Sequence, residues 1–204
     1  MPTEGFQTGT HLLAAARYED AITVFSSVLE AQPDHALALA SRAAAHRMLR
    51  QNDLAIRDAS KAIELQPDLA WAYATLGAIH RLQKEYREAL TNLDKAIELQ
   101  PDYEWCLAGR GETYRLMGRS QQALADLNRA LELNPRNDWA LMCRVAVYLD
   151  GQEEEMALRA FREAVSVNPD GDWALGLAAL TYRLMGKDVT RGTDEPCATA
   201  PGEP

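Results

Sequence analysis

The stretch PDLAW at residues 67–71 returns in outline as PDYEW (101–105), PRNDW (135–139) and PDGDW (169–173). Its proline belongs to a longer series, because Pro33, Pro67, Pro101, Pro135 and Pro169 follow one another at intervals of 34 without an insertion. A fixed period of this length marks a repeat architecture, in which each unit buries its apolar face against its neighbours. With the proline counted as position 0, position 6 holds Leu39, Tyr73, Leu107, Leu141 and Leu175, and position 13 holds His46, His80, Tyr114, Tyr148 and Tyr182. Alanine fills position 22 (Ala55, Ala89, Ala123, Ala157) and position 29 (Ala62, Ala96, Ala130, Ala164).

Apolar residues at positions 6, 10 and 13 share one face of a helix that advances about 100° per residue. Those at 22, 26, 29 and 30 share one face of a second helix, so each unit is a helical hairpin. RQND (50–53), LMGRS (116–120) and LDGQ (149–152) form the turns, with glycines suited to a helix C-terminus. The proline ends the second helix by steering its predecessor out of helical geometry. It also opens the next helix, where its missing N–H is not needed.

A 34-residue helix-turn-helix unit of this pattern resembles the tetratricopeptide repeat. Gly77, Tyr86 and Ala89 carry the resemblance in the third unit, and Gly111, Tyr114, Gly118 and Ala123 in the fourth. It covers residues 2–171 as five repeats: 2–35, 36–69, 70–103, 104–137 and 138–171. Residues 172–186 read as a capping helix or a partial sixth repeat, and 187–204 as a disordered tail rich in Gly, Pro, Thr and Ala. The first repeat departs most, since Gly5 and Gly9 each cost about 1 kcal/mol inside a helix, and fraying is expected there. The resemblance implies an all-α, right-handed α-solenoid whose first helices line a concave groove. It also implies a non-catalytic binding scaffold, with the architecture far better specified than the biology.

Position 4 points away from the seam between the two helices of a hairpin, which places Trp71, Trp105, Trp139 and Trp173 along the groove. Around them lie small and aliphatic residues, including Ala74, Ala78 and Met142, together with Glu112. Two readings stay open. Each indole packs on small residues of the preceding first helix, such as Trp71 on Ala40 or Ala44, or the rings stay partly open and receive apolar side chains of a peptide. Position 14 reads Arg47, Arg81, Arg115, Leu149 and Arg183, a row at the groove rim. It either stabilises helix C-termini or attracts carboxylates of a bound segment.

Arg42, Arg110 and Arg144 fall on the core side at position 9. Asp58 and Asp126 stand opposite the first two at position 25, which predicts Arg42–Asp58 and Arg110–Asp126 bridges and leaves Arg144, facing Ala160, without a partner there. His46 and His80 take the slot that tyrosines fill elsewhere and read as core aromatics. No catalytic set, metal motif or phosphate loop is found, so no enzyme activity, metal or cofactor is assigned. Chaperone cofactors of the same family grip an acidic chain end with Lys, Asn and Arg. The matching places here hold Phe6, Thr10, Ser41, Trp71 and Thr75, or, shifted by one repeat, Ala40, Ala44, Thr75, Trp105 and Gly109, which excludes that clamp.

A net charge of −9 removes general attraction to phosphate backbones or anionic lipid, so neither nucleic acid nor membrane is a predicted partner. No apolar run approaches the roughly 18 residues of a membrane helix. The N-terminal MPTEGFQTGT lacks a secretory pattern, and the expected location is the cytoplasm. Cys106, Cys143 and Cys197 are widely spaced and read as reduced, structural thiols. The leading expectation is an adaptor whose groove binds a peptide or helix of a partner protein with apolar and acidic side chains. The alternative is a structural assembly protein that forms a homodimer through Leu175, Leu177, Leu180, Tyr182 and Leu184 of the last helix.

Overall fold

The computed structural model describes residues 2–167. Ten α-helices alternate with short turns among them: α1 (Pro2–Ala14), α2 (Tyr18–Ala31), α3 (Ala36–Met48), α4 (Asn52–Leu65), α5 (Ala70–Leu82), α6 (Tyr86–Leu99), α7 (Glu104–Leu116), α8 (Ser120–Leu133), α9 (Asp138–Asp150) and α10 (Glu154–Val167). Each odd helix pairs with the even helix that follows it, giving five hairpins in the register set by the prolines. The predicted last helix and tail, with Trp173, Arg183, Leu175, Leu177, Leu180, Tyr182, Leu184 and Cys197, lie outside the described residues.

Every hairpin turns at the same point. Ala16, Arg50, Lys84, Gly118 and Gln152, all at position 17, have φ between +57° and +72°. This left-handed residue lets the next N–H return to the helix, as Gln51 N–H does to His46 O and Arg119 N–H to Tyr114 O, both at 2.9 Å. Only Gly118 adopts the conformation without steric cost. Gly151, expected to serve the last turn, instead has φ −76° and leaves the left-handed position to Gln152. Packing holds the 34-residue register, and the glycine in LDGQ falls one residue too early to use it. Two of the odd helices gain a side-chain cap: His35 Nδ1 accepts from Ala38 N at 3.3 Å, and Asn137 Oδ1 from Ala140 N at 2.9 Å.

Inside three of the hairpins a glycine at position 10 faces a large side chain at position 26: Gly9 with Phe25, Gly77 with Leu93 and Gly111 with Leu127. A Cβ on Gly9 would sit 2.5 Å from the Phe25 ring, and one on Gly77 would sit 2.7 Å from Leu93 Cγ. Gly9 thus has a packing reason that outweighs its poor helix propensity, and α1 runs unbroken from Pro2 to Ala14. Phe6 adds to that end by stacking on His35 with ring centroids 5.0 Å apart.

The chain divides into two compact units at Pro101. In the first, α1–α6, the odd helices α1, α3 and α5 touch in succession; in the second, α7 touches α9. Among the described residues no such contact joins even helices within either unit, so each unit carries one continuous odd-helix face.

Candidate functional site

The two odd-helix faces share a register and differ in what fills it. In the second unit, Trp105 on α7 is 9% exposed and Trp139 on α9 is 7% exposed. Their ring centroids lie 5.4 Å apart at an interplanar angle of 47°, a tilted contact between neighbouring odd helices rather than across a hairpin seam. Tyr103 extends the aromatic cluster, its ring 6.3 Å from that of Trp105. Both indoles are therefore largely withdrawn from water, and Met142 on α9 is half-buried.

The same pair of helices carries a closed charge network. Glu112 is 3% exposed, yet its carboxylate is gripped in a two-point contact, Arg115 Nε donating to Oε2 at 2.7 Å and Nη2 to Oε1 at 2.8 Å. Arg115 Nη1 donates in turn to Asp150 Oδ2 at the end of α9, which ties the two odd helices together. Burial by itself would lower the Arg115 pKa, but the hydrogen bonds and charge of Glu112, with those of Asp150, hold it above the ordinary arginine value. Arg115, expected as a rim cation, has its guanidinium occupied by carboxylates of its own chain.

In the first unit, position 4 holds Leu37, 39% exposed, and Trp71, half-buried against the core cluster that contains Ala40 and Ala44. Ala74 and Ala78 are buried. Arg47 at the end of α3 is half-buried and Arg81 at the end of α5 is buried. Leu37 carries no indole to mark its place in the sequence; the register alone points to it. The charge content also changes between units. Helices α3 and α5 carry Arg42, Arg47 and Arg81 with no Asp or Glu, whereas α7 and α9 carry Arg110, Arg115 and Arg144 with Glu104, Glu112, Asp138 and Asp150.

The core-side arginines are structural. Arg42 donates to both Asp58 oxygens at 2.7 and 3.0 Å and to Ser26 Oγ at 3.0 Å, joining α2, α3 and α4. Arg110 holds Asp126 at 2.7 and 2.8 Å. Arg144, for which position 25 offers only Ala160, reaches one turn further to Glu163, with Nη2 3.0 Å from Oε1, and donates to Asn128 at 3.3 Å. His46 and His80 sit at the hairpin seams with Nδ1 at 2.6 Å from Gln51 Oε1 and 2.7 Å from Glu85 Oε2. Among the described residues no group of three His, Cys, Asp or Glu side chains is placed to hold a metal, and no helix is long and apolar enough to cross a membrane.

Two family models described as tetratricopeptide repeat match residues 6–70 and 68–136, which together span more than half of the 204 residues. The chain belongs to the tetratricopeptide repeat family, whose members serve as protein-interaction scaffolds and are generally non-catalytic. Solved structures agree in fold. PilW, a widely conserved type IV pilus biogenesis factor, is similar at TM-score 0.76 and 22% identity, covering 91% of this chain and 90% of its own. A thermophilic tetratricopeptide repeat protein of Thermus thermophilus is similar at TM-score 0.72 and 24% identity, covering 90% and 100%. YrrB, a tetratricopeptide repeat protein with an unusual peptide-binding site, is similar at TM-score 0.64 and 19% identity, covering 86% and 90%. At these identities the likeness concerns the fold alone. No curated protein matches the chain significantly in sequence.

Proposed function

We propose that this chain is an adaptor that holds a peptide or helix of a partner protein on its odd-helix face through apolar and acidic side chains of that partner. The observation that carries the reading is the pairing, on the α3–α5 face, of accessible apolar side chains at Leu37 and Trp71 with arginines in helices devoid of carboxylates. A half-buried tryptophan and arginines are the residue types that most often anchor a bound segment. Trp105, Trp139 and Glu112 contribute by holding the second unit in shape, and Ala74 and Ala78 by keeping the first unit's face shallow.

The test is capture by immobilised wild-type protein and by a Leu37→Ala/Trp71→Ala variant, with circular dichroism confirming that both remain helical. The variant should lose specific proteins that the wild type retains. Identical sets from the two would remove this face from the function. A second reading, self-association through the C-terminal region, is favoured by Met156 and Val165, exposed apolar side chains on α10. Sedimentation of the full chain against one ending at residue 171 separates the two, because a monomer in both cases eliminates self-association through the last helix.

A further inference from the structure

Within each unit an even helix is covered by the odd helix that follows it: α2 by α3, α4 by α5 and α8 by α9. The contact has a fixed register. On the even helix position 30 lies beneath it, so Leu29 and Leu131 are each 8% exposed, whereas Val165 in the same place on α10 is 36% exposed. On the odd helix, position 9 reaches back to position 27 of the preceding helix: Arg42 Nη1 donates to Ser26 Oγ at 3.0 Å, and Arg144 Nη1 to Asn128 Oδ1 at 3.3 Å. Positions 5, 8 and 12 emerge beside position 9, and on α9 these are Ala140, Cys143 and Val147, at 0%, 0% and 1% exposed. On α10 the pairing rule is inverted. Position 27 is the exposed Arg162, and position 9 of the residues that follow is Ala178.

We propose that residues 172–186 of this chain cover the outer face of α10 in cis, as an odd helix covers the even helix before it. Pro169 keeps the 34-residue interval, so the segment meets α10 in the frame in which α9 meets α8. It carries the matching side chains: Ala174 at position 5, Leu177 at position 8 and Thr181 at position 12, small or apolar like the α9 set. Ala178 is the residue that an arginine at position 27 calls for, because a second guanidinium at position 9 would meet Arg162 as a like charge. Val165 then gains the cover that Leu131 has from α9. Docking in this register brings Trp173, at position 4, next to Trp139 and lengthens the odd-helix face of the second unit by one helix. Leu177 belongs to the fold in this arrangement and is withdrawn from self-association. The inference is independent of the adaptor reading.

The test is hydrogen exchange of the whole chain, read by mass spectrometry of its peptides. Peptides from 172–186 should exchange at least about tenfold more slowly than an unstructured chain, to the same extent at every protein concentration. Ala178→Arg should lose about tenfold of that protection by setting a guanidinium against Arg162. Adding Arg162→Ser to it should regain the protection, since the pair then repeats the Ser26–Arg42 contact of the first junction. Leu177→Asp, which buries a charge at position 8, should abolish it. Peptides from α8 should exchange as in the wild type in every variant, which separates loss of this contact from loss of the fold. Protection absent from the wild type, protection that grows with concentration as docking of a second copy requires, or equal protection in Ala178→Arg and the wild type would overturn the inference.

Discussion

The odd-helix faces of the two units differ in the side chains that fill a shared register, although the same repeat builds both. On α7 and α9 the aromatic row has folded onto itself as a Trp105–Trp139 contact, and the rim cation is engaged by Glu112 and Asp150. On α3 and α5 position 4 holds an exposed leucine and a half-buried tryptophan. The same slots thus carry different side chains in the two units, and identical spacing does not say which of them are sheltered. Position 4 has a dual nature for a physical reason: an indole at the junction of two first helices is large enough to bury itself against its neighbour if that neighbour offers another ring.

The strongest way to break this comparison is to remove the aromatic side chains one at a time. Trp105→Ala should cost about 3–5 kcal/mol in urea unfolding followed by circular dichroism, as expected when a buried aromatic is deleted. Trp71→Ala, which empties a half-exposed site, should cost about 1–2 kcal/mol. Comparable losses would mean that the first unit is as closed as the second.

Next in size is the charge network. Glu112→Ala removes the two-point contact and leaves Asp150 as the remaining carboxylate of this network on Arg115, and should cost about 2–4 kcal/mol by the same assay.

Sharper but smaller effects come from the seams and turns, which the two units are expected to share. Gly111→Ala brings a Cβ to 2.8 Å from Leu127 Cγ and should destabilise by about 1–3 kcal/mol, as should Gly77→Ala in the other unit. Lys84→Gly relieves a left-handed residue at φ 64° and should raise stability by about 0.5–1 kcal/mol, read as a higher melting temperature. Gly118→Lys, the reverse change at the equivalent turn, should lower it by a similar amount.

Much of the scaffold was readable without coordinates because its causes are local and periodic. The 34-residue spacing, the proline punctuation and the apolar positions specify hairpins, and the Arg42–Asp58 and Arg110–Asp126 bridges follow from opposite charges at positions 9 and 25 of the same repeat. Other features depended on which neighbour occupies the next slot. The partner of Arg144 lies at Glu163, one turn beyond the position the other repeats use. The turn glycine of LDGQ misses the left-handed site by one residue. Leu37 lacks the indole that marks its equivalents, so only the register reveals it.

From the sequence alone came the repeat, its family and the direction in which position 4 points, since a helical period determines the face on which a side chain emerges. Tertiary structure decided the accessibility of that face. Whether an indole is sheltered, or a guanidinium meets a carboxylate of the neighbouring helix, depends on the distance between side chains on different helices. The second unit brings Trp105 onto Trp139 and Arg115 onto two carboxylates, whereas the first leaves Leu37 exposed on a pair of helices whose charged side chains are all basic.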